Sequence, residues 1–193
     1  MEREQERTRR YIWLGLLGAA LAAINTFVAT ISLGIFQGPF VAFSTPFVFA
    51  LAKFRYPKSP GATLVFVPVI VTGIFTLNLG PPGVYKIIYL IGPLLYDLVC
   101  YLLLFHKQKS PNFKVWKLMI AAIFYPIGLI AGAILAIRWV LTDVEIPFVS
   151  KGLIGATLMV ALFAIIGSFA TVVCSKVFKK YLYKETTEHA DEV

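Results

Sequence analysis

The sequence predicts an all-α membrane protein: a polytopic bundle of six transmembrane helices with the N and C termini cytoplasmic. Three observations carry this. The 193-residue chain is 59% hydrophobic and 15% charged, with a mean hydropathy of +0.80, whereas roughly a quarter of a soluble domain is charged. Six apolar runs follow one another along it. Its basic residues fall almost entirely on alternate flanks of those runs.

The runs cover residues 11–36, 40–52, 62–77, 84–105, 118–140 and 152–175. At about 1.5 Å per residue, the first, fourth, fifth and sixth cross a hydrocarbon core of about 30 Å with length to spare. The second and third are shorter, and each holds a proline, Pro46 and Pro68. They read as thin, tilted or partly re-entrant crossings. One domain over residues 1–184 contains all six, and residues 185–193 form a polar cytoplasmic tail expected to be disordered.

Orientation follows from charge. Arg3, Arg7, Arg9 and Arg10 precede the first run; Lys53, Arg55 and Lys58 follow the second. Lys107, Lys109, Lys114 and Lys117 lie between the fourth and fifth, and Lys176, Lys179, Lys180 and Lys184 follow the sixth. Of the 18 Lys and Arg, only Lys86, Arg138 and Lys151 remain for the opposite side. Cytoplasmic retention of basic residues produces this asymmetry, and deleting any one run destroys the alternation. The net charge of +8 is therefore a topology signal rather than a nucleic-acid footprint. The apolar run after "MEREQERTRR" extends about 25 residues, too long for a secretory signal, so it is expected to stay as the first helix.

Several chemistries lack their residues. Cys100 and Cys174 fall in the inner halves of their helices without redox or metal spacing and are expected to be free thiols. His106 and His189 are isolated, so no zinc set is expected. No Walker motif is present, so the chain does not hydrolyse ATP itself. One intramembrane carboxylate and no intramembrane histidine speak against a membrane-embedded enzyme. No cofactor is expected.

Small residues mark the packing faces, because they let helices in lipid approach closely. In the first helix Gly15, Ala19 and Ala23 recur every four residues, with Gly18 and Ala22 on an adjacent stripe. The fifth has Gly128, Gly132 and Ala136; the sixth has Gly152, Ala156, Ala164 and Ser168. Packing within the bundle is expected for the fifth and sixth. For the first, internal packing and docking of another membrane protein stand side by side.

Six spans in under 200 residues, cytoplasmic ends and the Ala19-x-x-x-Ala23 stripe resemble the substrate-binding S-component of energy-coupling-factor (ECF) vitamin transporters. The Gly-Pro-rich turn before the fourth helix is compatible with it. The resemblance covers the layout of the whole chain through a weak motif. It implies that the stripe Gly15, Ala19 and Ala23 docks a transmembrane coupling subunit carried on two cytoplasmic ATPases. It also implies a small water-soluble vitamin or precursor captured from the outer side of a prokaryotic plasma membrane. A stand-alone proton-coupled carrier and a non-catalytic assembly subunit are the alternatives; no internal repeat supports the former.

A pocket of this kind needs a few polar groups in an apolar wall, with aromatic faces to stack on a heterocycle. The candidates in the outer half are Asn78, Tyr85, Lys86, Tyr89, Arg138 and Trp139. Trp139 also suits an interfacial belt, and Arg138 suits snorkelling to headgroups. Asp97 is the acid inside the fourth span, where an ionised carboxylate costs roughly 2.5–3.5 kcal/mol. It shares a helical stripe with Lys86 but lies about 16 Å deeper, so another partner is required. Asn25, Ser168, Tyr96, Tyr101 and Tyr125 are the candidates. Asp97 then reads as a structural hub, as the floor of a substrate pocket below a kink at Pro93, or as a relay.

Overall fold

A computed structural model describes residues 2–31, 37–75, 83–107, 114–140 and 149–179, and these form helices joined by turns. There are six α-helices among the described residues: α1 (Glu2–Ile31), α2 (Gln37–Arg55), α3 (Gly61–Phe75), α4 (Ile91–Leu102), α5 (Val115–Val140) and α6 (Val149–Val177). Two 3₁₀ segments, Gly83–Leu90 and Phe105–Lys107, flank α4. Glu4–Val28, Val115–Gly132 and Thr157–Val177 are long and apolar enough to cross a bilayer. The protein is a helical membrane protein. The tail at 185–193 lies outside the described residues.

The fourth apolar run is not one continuous α-helix. Pro93 sits in the first turn of α4, where its missing N–H costs nothing, but its ring blocks an α-helical bond further back. The chain ahead of it winds as the tighter 3₁₀ form. With about 2.0 Å of rise per residue in that form and 1.5 Å in α4, the two pieces together reach about 34 Å. The segment therefore keeps its length despite the break.

The helix contacts close into a ring: α1 on α3, α3 on the 3₁₀ segment and α4, these on α5, α5 on α6, α6 on α2, and α2 back on α1. α2 also touches α3. Aromatic side chains from four helices fill the middle. The Phe49 ring lies 5.3 Å from Tyr96, 5.2 Å from Tyr125 and 6.0 Å from Phe66, and all four are buried. These edge-on contacts are the arrangement that aromatic quadrupoles favour. Ser44 adds a polar tie at the α1–α2 seam, donating to Asn25 Oδ1 at 3.2 Å.

Glycines and prolines set the closest approaches. A Cβ on Gly18 would lie 2.2 Å from the Val65 carbonyl oxygen and 3.0 Å from the Pro68 ring, so only glycine lets α1 reach α3. A Cβ on Gly167 of α6 would lie 3.0 Å from Pro46 of α2. The prolines inside the two short helices thus each seat a neighbour's glycine. On α5, added carbons at Gly128 and Gly132 would come within 2.7 Å of Gly92 Cα and the Ile88 carbonyl. Gly128 and Gly132 of the α5 stripe are therefore consumed inside the bundle, and Ala164 of α6 is buried as well.

α1 uses only one of its two stripes. Gly18 and Ala22 are buried, whereas Ala19 and Ala23 are exposed and nothing lies within 4 Å of a Cβ built on Gly15. Large apolar side chains such as Leu16, Phe27 and Ile165 also point outward, as suits helices whose surrounding solvent is itself hydrocarbon.

Candidate functional site

Asp97 is the centre of the densest polar cluster among the described residues. α3 begins at Gly61 directly after Pro60, which has no side-chain acceptor to cap the helix. Its first N–H groups need an oxygen from elsewhere. The Asp97 carboxylate, projecting from α4, supplies it. It accepts from the Ala62 N–H at 3.3 Å, the Thr63 N–H at 2.8 Å and the Thr63 hydroxyl at 2.7 Å. A negative charge at this position also meets the positive end of the α3 dipole.

The fourth partner is a cation. Lys53 Nζ, from the last turn of α2, lies 2.6 Å from Asp97 Oδ1 and donates to the Ser59 carbonyl at 2.7 Å. Both side chains are buried, at 5% and 10% exposure. One carboxylate thus joins the end of α2, the α2–α3 turn, the start of α3 and the middle of α4. Breaking such a buried pair by removing one member costs several kcal/mol, because the other charge is stranded.

These partners differ from those expected. Asn25, Ser168, Tyr96, Tyr101 and Tyr125 do not hydrogen-bond Asp97; Lys53 and Thr63 do. The reason is depth. α4 packs so that Asp97 is level with the α2–α3 turn, at the basic end of the bundle, where Lys53 and the start of α3 meet it. Lys53 had read as a topological flank residue, and the pairing gives it a second role. The signal that could have found the pair is the Pro60–Gly61 helix start, which lacks a local cap.

Two cavities open at this end. One, of about 320 Å³, is bordered by Lys53, Lys58, Thr63, Leu94, Asp97, Leu98, Tyr101 and His106. The other, of about 180 Å³, is bordered by Arg10, Arg55, Tyr56, Pro57, Lys58, Ser59 and His106. They share the Pro57–Ser59 turn and His106. Tyr56 organises the smaller one. Its ring takes Trp13 edge-on at 5.6 Å and the Arg10 guanidinium at 5.6 Å, a cation–π contact. His106 stacks on Tyr101 at 4.9 Å.

The outer-half candidates are described only in part. Tyr89 is half-buried in the 3₁₀ segment and packs against the core. The backbones of Tyr85 and Lys86 belong to the same segment, and those of Arg138 and Trp139 to the last turn of α5; their side chains lie outside the described residues, as does Asn78. Lys86 is about 18 Å from Asp97 along the 3₁₀ segment and α4, with the layer of Phe49, Phe66, Tyr96 and Tyr125 on the Asp97 side. Among the described residues, no group of His, Cys, Asp and Glu could hold a metal ion, and Cys100 and Cys174 are free, buried thiols.

Fold and site together define a membrane-embedded helical ring, tied at its basic end by the buried Lys53–Asp97 ion pair. No family model, no curated protein and no solved structure matches this chain.

Proposed function

We propose that this protein is the membrane-embedded substrate-binding subunit of an ECF-type transporter in a prokaryotic plasma membrane. Its six helices cross the bilayer with both ends in the cytoplasm, and it passes a small water-soluble vitamin or precursor inward with a separate ATPase-driven module. The observation that carries this reading is the division of labour on α1. The fold buries the Gly18/Ala22 stripe, with Gly18 against Val65 and Pro68 of α3, and leaves the parallel stripe of Gly15, Ala19 and Ala23 open along the outside of the ring. A transmembrane coupling subunit docks on that face and carries the two ATPases that the chain itself lacks.

In this reading the aromatic layer around Phe49 closes the bundle below the substrate. Tyr89, with Tyr85, Lys86, Asn78, Arg138 and Trp139, supplies the polar and stacking groups above it. Asp97, whose carboxylate already has four donors, holds the helices that form the floor.

Mass spectrometry of the gently extracted protein tests the reading. A small heterocyclic molecule is retained by the wild type and lost from Lys86→Ala with Tyr89→Ala. The pair Ala19→Leu and Ala23→Leu keeps that molecule but loses the ATPases that co-extract with the wild type. Extraction of the wild type with neither a bound small molecule nor ATPases refutes it.

A further inference from the structure

The smaller cavity at the basic end has a composition that neither scaffold nor transport uses. Among the described residues three basic side chains, Arg10, Arg55 and Lys58, converge on it with His106, and no carboxylate borders it. Asp97, which borders the adjoining cavity, is already committed to Lys53 and the start of α3. Two nitrogens on its walls, Arg10 Nε and His106 Nδ1, are buried without a hydrogen-bond partner. The Arg10 Nε–H is a donor in every state, and a buried donor without an acceptor costs about 1–3 kcal/mol, so an occupant with several acceptor oxygens and negative charge fits the walls.

Size and surroundings narrow the occupant. At about 180 Å³ the cavity falls below the 300–1,000 Å³ usual for whole small molecules, so it takes a group rather than a cofactor. The adjoining cavity leads past Leu94, Leu98 and Tyr101, which are 52%, 49% and 64% exposed on the outer face of α4. A cationic cup thus opens onto an apolar helix face. We propose that this site binds the phosphate of an anionic phospholipid: Arg10, Arg55, Lys58 and His106 hold the headgroup, and an acyl chain lies along Leu94 and Leu98. The proposal stands independently of the transport reading.

The test is native mass spectrometry of the protein released from nanodiscs of mixed phosphatidylglycerol and phosphatidylcholine. The wild type carries a phosphatidylglycerol adduct in preference to phosphatidylcholine. Arg10→Gln with Lys58→Gln lowers that preference about fivefold or more per charge removed. Arg9→Gln with Lys176→Gln, exposed cations at the same end of the bundle, leave it unchanged. Lys58→Gln alone, at an exposed turn position, provides a variant whose folding is not at risk, and melting temperatures verify the others. Equal losses in both double variants mean a diffuse surface effect and overturn the proposal. So does displacement of the lipid by millimolar inorganic phosphate, which would assign the cup to a soluble anion.

Discussion

Neutralising Asp97 is the sharpest probe of what holds the ring together. Asp97→Asn keeps the shape but removes the charge. The 5%-exposed Lys53 then loses its counter-ion, and the Ala62 and Thr63 N–H groups keep at most a neutral acceptor. Removing one member of a buried pair costs about 3–5 kcal/mol. At roughly 2–4 °C per kcal/mol for a chain of this length, the melting temperature falls by about 6–20 °C. Lys53→Met strands less, because Asp97 keeps its three donors from α3; the expected cost is about 1.5–3 kcal/mol, the worth of a hydrogen bond to a charged group. Combining the two changes costs less than their sum, by a coupling of about 0.5–3 kcal/mol. A thiol-reactive fluorogenic dye reads the transition directly, since Cys100 and Cys174 are buried and free. Strict additivity, or a shift below about 2 °C for Asp97→Asn, would refute the ionic tie.

Four further outcomes follow from the same geometry. Gly18→Ala drives a carbon to 2.2 Å from the Val65 carbonyl and lowers stability by about 1–3 kcal/mol or more. Gly15→Ala, with open space around it, raises it by about 0.5–1 kcal/mol through helix propensity; dye-monitored melting of both variants checks the contrast. Gly132→Ala meets the Ile88 carbonyl at 2.7 Å and loses about 1–3 kcal/mol, measured as a reduced midpoint in SDS titration. Leu104, just past α4, holds φ at 54°, a left-handed conformation that costs a branched residue about 1–2 kcal/mol. Because that side chain is 47% exposed, Leu104→Gly is expected to raise the same midpoint by about 1 kcal/mol.

How much of this was legible in the sequence depends on the range of the interaction. Hydropathy alone marked the six α-helices of the described residues, because each lies in a run of apolar side chains. The small-residue period on α5 correctly located a packing face. On α1 the same period gave two parallel stripes, and nothing local could say which one α3 would take. The break in the fourth run was half-visible as Pro93, yet its effect on register was not, since a switch to 3₁₀ changes depth without changing composition. The partners of Asp97 were hidden because they come from the end of α2 and the start of α3, more than thirty residues away in sequence. The cup of Arg10, Arg55, Lys58 and His106 was hidden for a different reason. Its members come from three separate stretches of chain, and each by itself suits the inner flank of a span.

The Lys53–Asp97 tie has a consequence for biogenesis. A ribosome delivers Lys53 and the opening turn of α3 well before it delivers Asp97. Until α4 arrives, the ammonium and the uncapped N–H groups have no carboxylate to meet. The α2–α3 hairpin is therefore made with its polar end still unpaired, and that end is closed only when the later helix packs against it.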